Sequence, residues 1–247
     1  MYLIGRDNAL LVDPAARNDT LDAAVANRTV DHIAVTHHHP DHVGSVSEYA
    51  AETGATVWAR QGREELFTEA TDTSPDRTFR GGTAIETGDG TVRILETPGH
   101  APEHVAYVIN DETLRFFVGD LAMASSSVVV GAPEGDMRAY LGSLRRVYAR
   151  NPDVLYPGHG SVIDDPRTVI GELTDHRLDR EQRVLRAIES GASTVPDITD
   201  AAYEKDVSAV RGLAEATVEA HLEKIAAEKR VEWDGERVLS ESHSTFS

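Results

Sequence analysis

Short apolar runs alternate with polar stretches of helical character along the first two-thirds of the chain. An apolar run bounded by turn residues is typical of a strand, and apolar positions three or four residues apart are typical of a helix that faces a core. The pattern predicts helices near 19–27, 43–53 and 137–149. It predicts strands at 2–4, 9–12, 33–35, 55–58, 92–95, 105–109, 114–118 and 154–156. The sequence therefore predicts a mixed α/β (α+β) protein.

Several predicted strands are followed by a loop that carries histidine or aspartate. The segment 36–42, Thr-His-His-His-Pro-Asp-His, holds four of the 11 histidines. Neutral imidazole is the commonest protein metal ligand, and carboxylates accompany it on zinc. Loops at one edge of layered sheets converge, so the following residues are expected to meet at one metal site: His37, His39, Asp41, His42, His100, Asp120 and His159.

The spacing of these residues suits two metal ions. In an extended loop residues i and i+2 point to the same side, so His37 and His39 can bind one ion together with His100. A second ion would be held by Asp41, His42 and His159. Asp120 could bridge the ions, because a carboxylate has two oxygens. Two such ions about 3.5–4 Å apart can share an activated hydroxide. Cysteine is absent, so no thiolate takes part.

Other residues near these motifs have simpler interpretations. His38 lies between two proposed ligands and is expected to point away from them. Asp41 and Asp120 are expected to be catalytic as well as metal-binding. His104 is either a third catalytic group or only a hydrogen-bonded histidine. Asp13 precedes Pro14 and is interpreted as part of a plain turn. The remaining histidines are expected to be structural (His32, His176) or exposed (His221, His243).

The seven proposed ligands, in their order and context, resemble the metallo-β-lactamase superfamily. The contexts are Thr-Pro-Gly-His at 97–100, Gly-Asp at 119–120 and Pro-Gly-His-Gly at 157–160. The resemblance implies a four-layer αββα sandwich holding two Zn²⁺, with Mn²⁺ or Fe²⁺ as alternatives. It also implies a hydrolase that uses a metal-bridging hydroxide. True β-lactamases usually carry a late cysteine, so antibiotic hydrolysis is not expected of this chain.

The C-terminal part extends the resemblance. Residues 175–238 predict three helices and a hairpin that turns at Asp234-Gly235, as in a small winged-helix unit. This tail, with the motifs at 99–104 and 134–144, is similar to the β-lactamase-like protein 2 family. We therefore predict a catalytic domain at 1–173 and a winged-helix-like domain at 174–247. Residues 2–5 match a strand that normally follows an earlier one, so either the true start lies upstream or the first sheet is one strand short.

Three functions remain open at this level. The family resemblance implies an endoribonuclease, a phosphodiesterase acting on single-stranded RNA. The first alternative is a glyoxalase II-like thioester hydrolase with a small ester or thioester substrate, because it shares the same seven ligands. The second alternative is a non-catalytic metal-binding module that keeps the fold.

Charge and hydropathy limit partners and location. The chain has 42 acidic and 24 basic residues, a net charge of −18, and it resembles halophilic proteins in being acidic and poor in lysine. Residues 175–247 carry 16 acidic and 10 basic side chains, and 213–226 has no basic stripe, so sequence-specific DNA binding is not expected. There is no apolar run of transmembrane length and no visible secretory signal, so we expect a cytoplasmic protein without membrane contact. The oligomeric state stays open.

Overall fold

The computed structural model describes residues 1–239, so His243 lies outside the described residues. Two five-stranded sheets form its centre. The first sheet contains β1 (Tyr2–Ile4), β2 (Ala9–Val12), β3 (Val30–Ala34), β4 (Thr56–Arg60) and β5 (Arg77–Phe79). The second contains β6 (Ala84–Thr87), β7 (Gly90–Glu96), β8 (Val105–Asn110), β9 (Leu114–Gly119) and β10 (Val154–Pro157). The helices are α1 (Asp19–Ala26), α2 (Pro40–Val43), α3 (Val46–Thr53), α4 (Glu64–Thr71), α5 (Met137–Tyr148), α6 (Pro166–Glu189), α7 (Val195–Ala202) and α8 (Arg211–Ala227).

Strand direction decides where the loops meet. The first sheet has the order β1-β2-β3-β4-β5, with β1 antiparallel to β2, as the predicted hairpin requires, and the remaining pairs parallel. The second has the order β10-β9-β8-β7-β6, with only β10 and β9 parallel. Because β8 runs opposite to both β7 and β9, the strands β7, β9 and β10 all point the same way. Their carboxyl ends therefore lie at one edge of the sheet.

The strands show the two-residue alternation of buried sheets. In β2, Leu10 and Val12 belong to the apolar cluster between the sheets, whereas Leu11 faces the helices outside. In β9, Phe117 joins the inner cluster, and Phe116 lies in the outer one. Each sheet therefore buries both faces. One face packs on the other sheet, and the outer face requires a layer of helices.

Helices supply these outer layers. Helices α1, α3 and α4 cover the first sheet with Val25, Tyr49 and Phe67 among their buried side chains. Helices α5 and α6 cover the second sheet, with Leu144 and Leu173 in its outer cluster. The layer order is thus helix, sheet, sheet, helix, and the predicted αββα arrangement is confirmed.

Helix α6 continues past the sandwich into a C-terminal group of elements. Leu173 belongs to the sandwich core, whereas Val184 packs with α7, α8 and the strands β11 (Glu232–Trp233) and β12 (Val238–Leu239). The boundary predicted between 173 and 174 therefore falls inside a continuous helix. The carboxylate of Glu181, which is buried here, pairs with Lys224 at 2.6 Å and Arg230 at 2.5 Å. No helix within residues 1–239 has the length and apolarity needed to span a membrane.

Two local details differ from expectation. The helix expected at 43–53 is found as α3, which begins only at Val46, and residue 43 ends the separate short helix α2; at Gly44, between them, a side-chain carbon would lie 2.4 Å from the Ala15 carbonyl oxygen. His221, expected at the surface, is fully buried in α8. The pattern also missed α4, β5 and β6, because these short elements are rich in polar and charged residues.

Candidate metal centre

Four strand ends bring the predicted ligands to one place. The loop after β3 carries His37 and His39 and runs into α2. His100 follows β7, Asp120 is the residue after β9, and His159 follows β10. The three latter strands share one direction, so sheet geometry alone places their ends side by side.

Three histidines form the first ligand group. One nitrogen of each, in His37, His39 and His100, lies within 4.8 Å of the others. His39 Nδ1 and His100 Nε2 are 3.1 Å apart. His37 and His100 are buried, so this group forms the floor of the site.

The second group is more open. Its members are Asp41, His42 and His159, whose ligand atoms also lie within 4.8 Å of one another. Asp41 Oδ2 is 3.0 Å from His159 Nε2, and these side chains are 62% and 40% exposed, whereas His42 is buried. The site therefore opens to solvent beside Asp41 and His159.

Asp120 lies between the two groups. Its Oδ1 is 3.3 Å from His42 Nε2 and 3.7 Å from His159 Nε2. Its Oδ2 is 3.7 Å from His100 Nε2. Each carboxylate oxygen thus faces a different ligand group, as a bridging ligand requires. The close approach depends on Gly158, where a side-chain carbon would lie 2.6 Å from Asp120 Oδ1.

Hydrogen bonds on the far side of the rings decide which nitrogens face the centre. His100 Nδ1 donates to the Val129 carbonyl at 2.7 Å, and His42 Nδ1 donates to Asp13 Oδ2 at 3.0 Å. A neutral ring that donates through Nδ1 carries its lone pair on Nε2. In the neutral form, which is the form that binds a metal ion, both rings therefore direct an Nε2 lone pair towards the centre.

Asp13 and Thr36 form a support that the sequence did not reveal. Asp13 is buried, and it accepts hydrogen bonds from Thr36 N at 2.6 Å and Thr36 Oγ1 at 2.9 Å. Because Thr36 Oγ1 donates to Asp13, it accepts from His37 Nδ1 at 3.0 Å, and His37 Nε2 keeps its lone pair. The interpretation of Asp13 as a plain turn residue was wrong: its side chain orients two proposed ligands, His37 and His42.

His39 completes the pattern with the opposite nitrogen. Its Nε2 is 3.1 Å from both carboxylate oxygens of Glu134, which can only accept, so Nε2 carries the proton. The lone pair of neutral His39 is then on Nδ1, facing the lone pair of His100 at 3.1 Å. Two lone pairs at this distance repel each other unless a cation lies between them. The donor set therefore fits a bound metal ion.

Burial and neighbouring charges shift the pKa values within the site. Burial, reinforced by neighbouring histidines, holds the pKa of His37 well below its usual value, and burial also lowers the pKa of His100. Burial alone would lower the pKa of His42, but Asp120 and Asp13 raise it to about 10. Burial opposes ionisation of Asp120, yet His42 lowers the pKa of this carboxyl. His37 and His100 are thus held neutral, whereas His42 and Asp120 favour their charged forms and attract each other.

His104 does not touch the open side of the site. It is fully buried, its Nε2 accepts from Asp120 N at 3.1 Å, and its Nδ1 donates to Thr97 Oγ1 at 2.9 Å. Burial lowers its pKa to about 4, so it stays neutral. Of the two interpretations of His104, the structure therefore supports the hydrogen-bonded histidine over the catalytic group, because its buried ring holds the backbone of Asp120.

His38 turns away from the two ligand groups. Its Nδ1 lies 2.6 Å from Glu103 Oε1, and its Nε2 lies 3.6 Å from Glu134 Oε1. The other half-buried histidine near the sheets, His32, accepts from Trp58 Nε1 at 3.3 Å. His38 is thus absent from the two ligand groups, as expected, and the contact of His32 is a structural one.

Comparison with known proteins agrees with this geometry. The model of the Metallo-beta-lactamase superfamily matches residues 1–159. The chain belongs to the metallo-beta-lactamase superfamily. It is therefore a metal-dependent hydrolase, and the His and Asp cluster at its strand ends is where this superfamily member would hold its metal.

Individual relatives cover most of the chain. It is 27% identical over 244 residues to a "Beta-lactamase-like protein 2 homolog" of Caenorhabditis elegans, covering 94% of this chain and 79% of the relative. It is 28% identical over 214 residues to an "Atrochrysone carboxyl ACP thioesterase" of Aspergillus chevalieri, covering 81% of this chain and 64% of the relative. A crystal structure of a metallo-beta-lactamase family protein from Thermus thermophilus has a TM-score of 0.75 at 24% identity, covering 96% of this chain and 92% of that protein, and it supports the superfamily fold.

Proposed function

We propose that this chain is a two-metal hydrolase, with zinc as the native ion and Mn²⁺ or Fe²⁺ as alternatives. The observation that carries the proposal is the set of inward-facing acceptors without a partner. Within residues 1–239, His37 Nε2, His42 Nε2 and Asp120 Oδ1 are buried and make no hydrogen bond. Buried polar atoms normally have a hydrogen-bond partner, so three such atoms without one in a single cluster fit the role of metal ligands. Bound ions would supply a hydroxide at neutral pH and positive charge for the transition state.

The residues of the chain divide the remaining work. His37, His39 and His100 would hold the deeper ion, and Asp41, His42 and His159 would hold the outer one, with Asp120 shared. The buried floor excludes water from one side. The exposed side chains of Asp41 and His159 mark the side from which a substrate would approach.

For the substrate we propose the phosphodiester bonds of single-stranded RNA. The likeness to beta-lactamase-like protein 2 homologs supports this choice, because the family resemblance implies RNA cleavage. A local positive charge supports it too: Arg63 is exposed, acts electrostatically on His38 and makes no ion pair within residues 1–239. The net charge of −18 opposes RNA binding at low salt. At about 1 M salt, where the Debye length is about 3 Å, that repulsion is screened.

A thioester is the second candidate substrate. The supporting observation is the relative named as an acyl-carrier-protein thioesterase, which matches 81% of this chain. Two metal ions stabilise the oxyanion of acyl transfer as well as that of phosphoryl transfer, so the same centre serves both reactions.

We also propose that the C-terminal elements form a winged-helix-type unit and that this unit forms one wall of the active-site groove. Support comes from their order, in which α6, α7 and α8 are followed by the paired strands β11 and β12. The acidic character of this region argues for a wall rather than a DNA reader.

The test is a side-by-side assay of the purified protein in high salt. Single-stranded RNA, S-lactoylglutathione and a simple phosphodiester are tested at equal concentration. The number of bound metal ions per chain is measured by elemental mass spectrometry. We expect two metal equivalents and RNA cleavage. Cleavage of the thioester alone would replace RNA by the second candidate. Fewer than one metal equivalent after supply with zinc would refute the two-metal centre.

A further inference from the structure

The segment between β9 and α5, residues 121–136, contacts two proposed ligands from behind. The Val129 carbonyl accepts from His100 Nδ1 at 2.7 Å. The Glu134 carboxylate accepts from His39 Nε2 at 3.1 Å. We call residues 121–136 the support loop, because it accepts a hydrogen bond from both rings.

The support loop has little backbone structure of its own. Within residues 1–239, positions 122–130 make no backbone–backbone hydrogen bond. A stretch of this kind is held in place by the side chains that contact it. Val128 and Val130 anchor the segment by packing in the outer apolar cluster, and the carbonyls of Val128 and Val129 need polar partners from outside the loop to fix their directions.

The C-terminal helices provide that contact. Arg177 of α6 donates through Nη2 to the Val128 carbonyl at 2.5 Å. Further along, Ala132 N donates to the Ala216 carbonyl of α8 at 3.0 Å. Adjacent carbonyls of extended backbone point to opposite sides. Val128 can thus face α6 while Val129 faces His100.

Arg177 is an unusual residue in this position. Only 4% of it is exposed, and it makes no ion pair within residues 1–239. Its guanidinium carbon lies 5.3 Å from the centre of the Tyr140 ring, and the hydroxyl of Tyr140 donates to the Leu121 carbonyl at 2.8 Å. A buried charge without a carboxylate is costly, so its contacts with the loop and the ring must compensate for lost hydration.

We propose that Arg177 is a positioning residue of the metal centre. It fixes the Val128-Val129 peptide so that His100 keeps its proton on Nδ1 and presents Nε2 to the deeper ion. The C-terminal helices are then part of the construction of the site rather than an independent appendage. The role in metal binding rests on the proposed function, whereas the effect on the His100 ring does not.

The matched pair of variants is Arg177→Met and Arg180→Met. Methionine keeps an unbranched apolar stem and removes the donor and the charge. Arg180 lies on the same helix, but it stacks on Tyr203 at 3.6 Å and donates to the Ala202 carbonyl at 3.1 Å, so it serves only the C-terminal elements. Should Arg177→Met fail to fold, Arg177→Leu also removes the donor and the charge, and Arg177→Lys, which keeps a charged donor, should retain the wild-type His100 signal.

Two measurements are made on each variant. Side-chain ¹⁵N NMR of the histidines reports whether His100 holds its Nδ1–H, and competition with a coloured chelator gives the zinc affinity. We expect Arg177→Met to broaden or shift the Nδ1–H signal and to weaken zinc binding roughly tenfold, the lower end of effects seen for residues behind a ligand. Arg180→Met should change neither.

An unchanged His100 signal in folded Arg177→Met or Arg177→Leu would overturn the proposal, as would an equal loss of zinc affinity in Arg180→Met. A wild-type protein that shows the His100 signal and binds no zinc would refute the proposed function alone, because the ring signal still tests the positioning role.

Discussion

Replacement of Asp13 by asparagine tests the hydrogen-bond chain behind the metal centre. Asp13 has a φ of 50°, a region that asparagine also tolerates, and the two side chains have nearly the same size. Asparagine keeps the acceptor Oδ1 for Thr36 N. Its NH₂ group replaces Oδ2, which accepts from Thr36 Oγ1 at 2.9 Å and His42 Nδ1 at 3.0 Å. The change therefore turns one acceptor into a donor in an otherwise intact site.

The donor should reverse the tautomers of two rings. His42 would accept from the amide through Nδ1 and carry its proton on Nε2. Thr36 Oγ1 would accept from the amide and donate to His37 Nδ1, so His37 would also carry its proton on Nε2. Metal binding then requires each ring to return to its original tautomer. This leaves a buried donor without an acceptor, which costs about 1–3 kcal/mol of binding free energy for each ring. The sum of about 2–6 kcal/mol corresponds to a loss of zinc affinity between roughly 30-fold and 10⁴-fold.

The assay is zinc titration in competition with a chelator, together with histidine side-chain NMR to read the tautomers. Asp76→Asn is the control, because Asp76 accepts from Val57 N at 2.8 Å in the same sheet but away from the centre. We expect Asp76→Asn to bind zinc normally. If Asp13→Asn binds zinc within threefold of the wild type, Asp13 does not set the tautomers of His37 and His42.

Three other properties of the chain test the same contacts. Asp120→Ala should abolish hydrolysis of any substrate found, because it removes the shared ligand, and retained turnover would place the active site elsewhere. His104→Phe should destabilise the fold by about 1–3 kcal/mol in urea unfolding by leaving Asp120 N without an acceptor, and unchanged stability would contradict the contact. The pKa of His221 is lowered to about 3 by burial and by the charges of Arg177, Lys224 and Arg180, so the unfolded chain binds more protons below pH 6.5. The free energy of unfolding should therefore fall by about 1.3 kcal/mol from this residue between pH 7 and pH 5.5, and an equal fall in His221→Leu would refute the assignment.

The local motifs of the sequence were sufficient to indicate the site. His37, His39, Asp41 and His42 are close in sequence, so their proximity does not depend on the fold. His100, Asp120 and His159 could be added because each directly follows a predicted strand, and strand ends meet at sheet edges. The layer order was likewise predictable, because alternating buried positions require cover on both faces of each sheet.

The supporting residues could not be found in this way. Asp13 is 23 residues from Thr36 and 29 from His42, and a turn motif gives the same sequence signal whether its carboxylate faces solvent or the interior. His221 looked like a surface histidine because a polar residue on a helix is usually exposed. It is buried because α8 packs against α5, α6 and α7 together, so some of its polar positions, such as Thr217 and Lys224, are covered as well.

The sequence by itself thus indicated the layered fold and the cluster of His and Asp residues, because these depend on local periodicity and on residues adjacent to strand ends, and its motifs indicated the hydrolytic class through their resemblance to a family. Only the tertiary structure decided which nitrogen of each ring faces the centre, since the partners of those rings, Asp13, Glu134 and the Val129 carbonyl, come from distant segments. It also connected α6 to the metal centre through Arg177, a contact that depends on how two separate parts of the chain pack against each other.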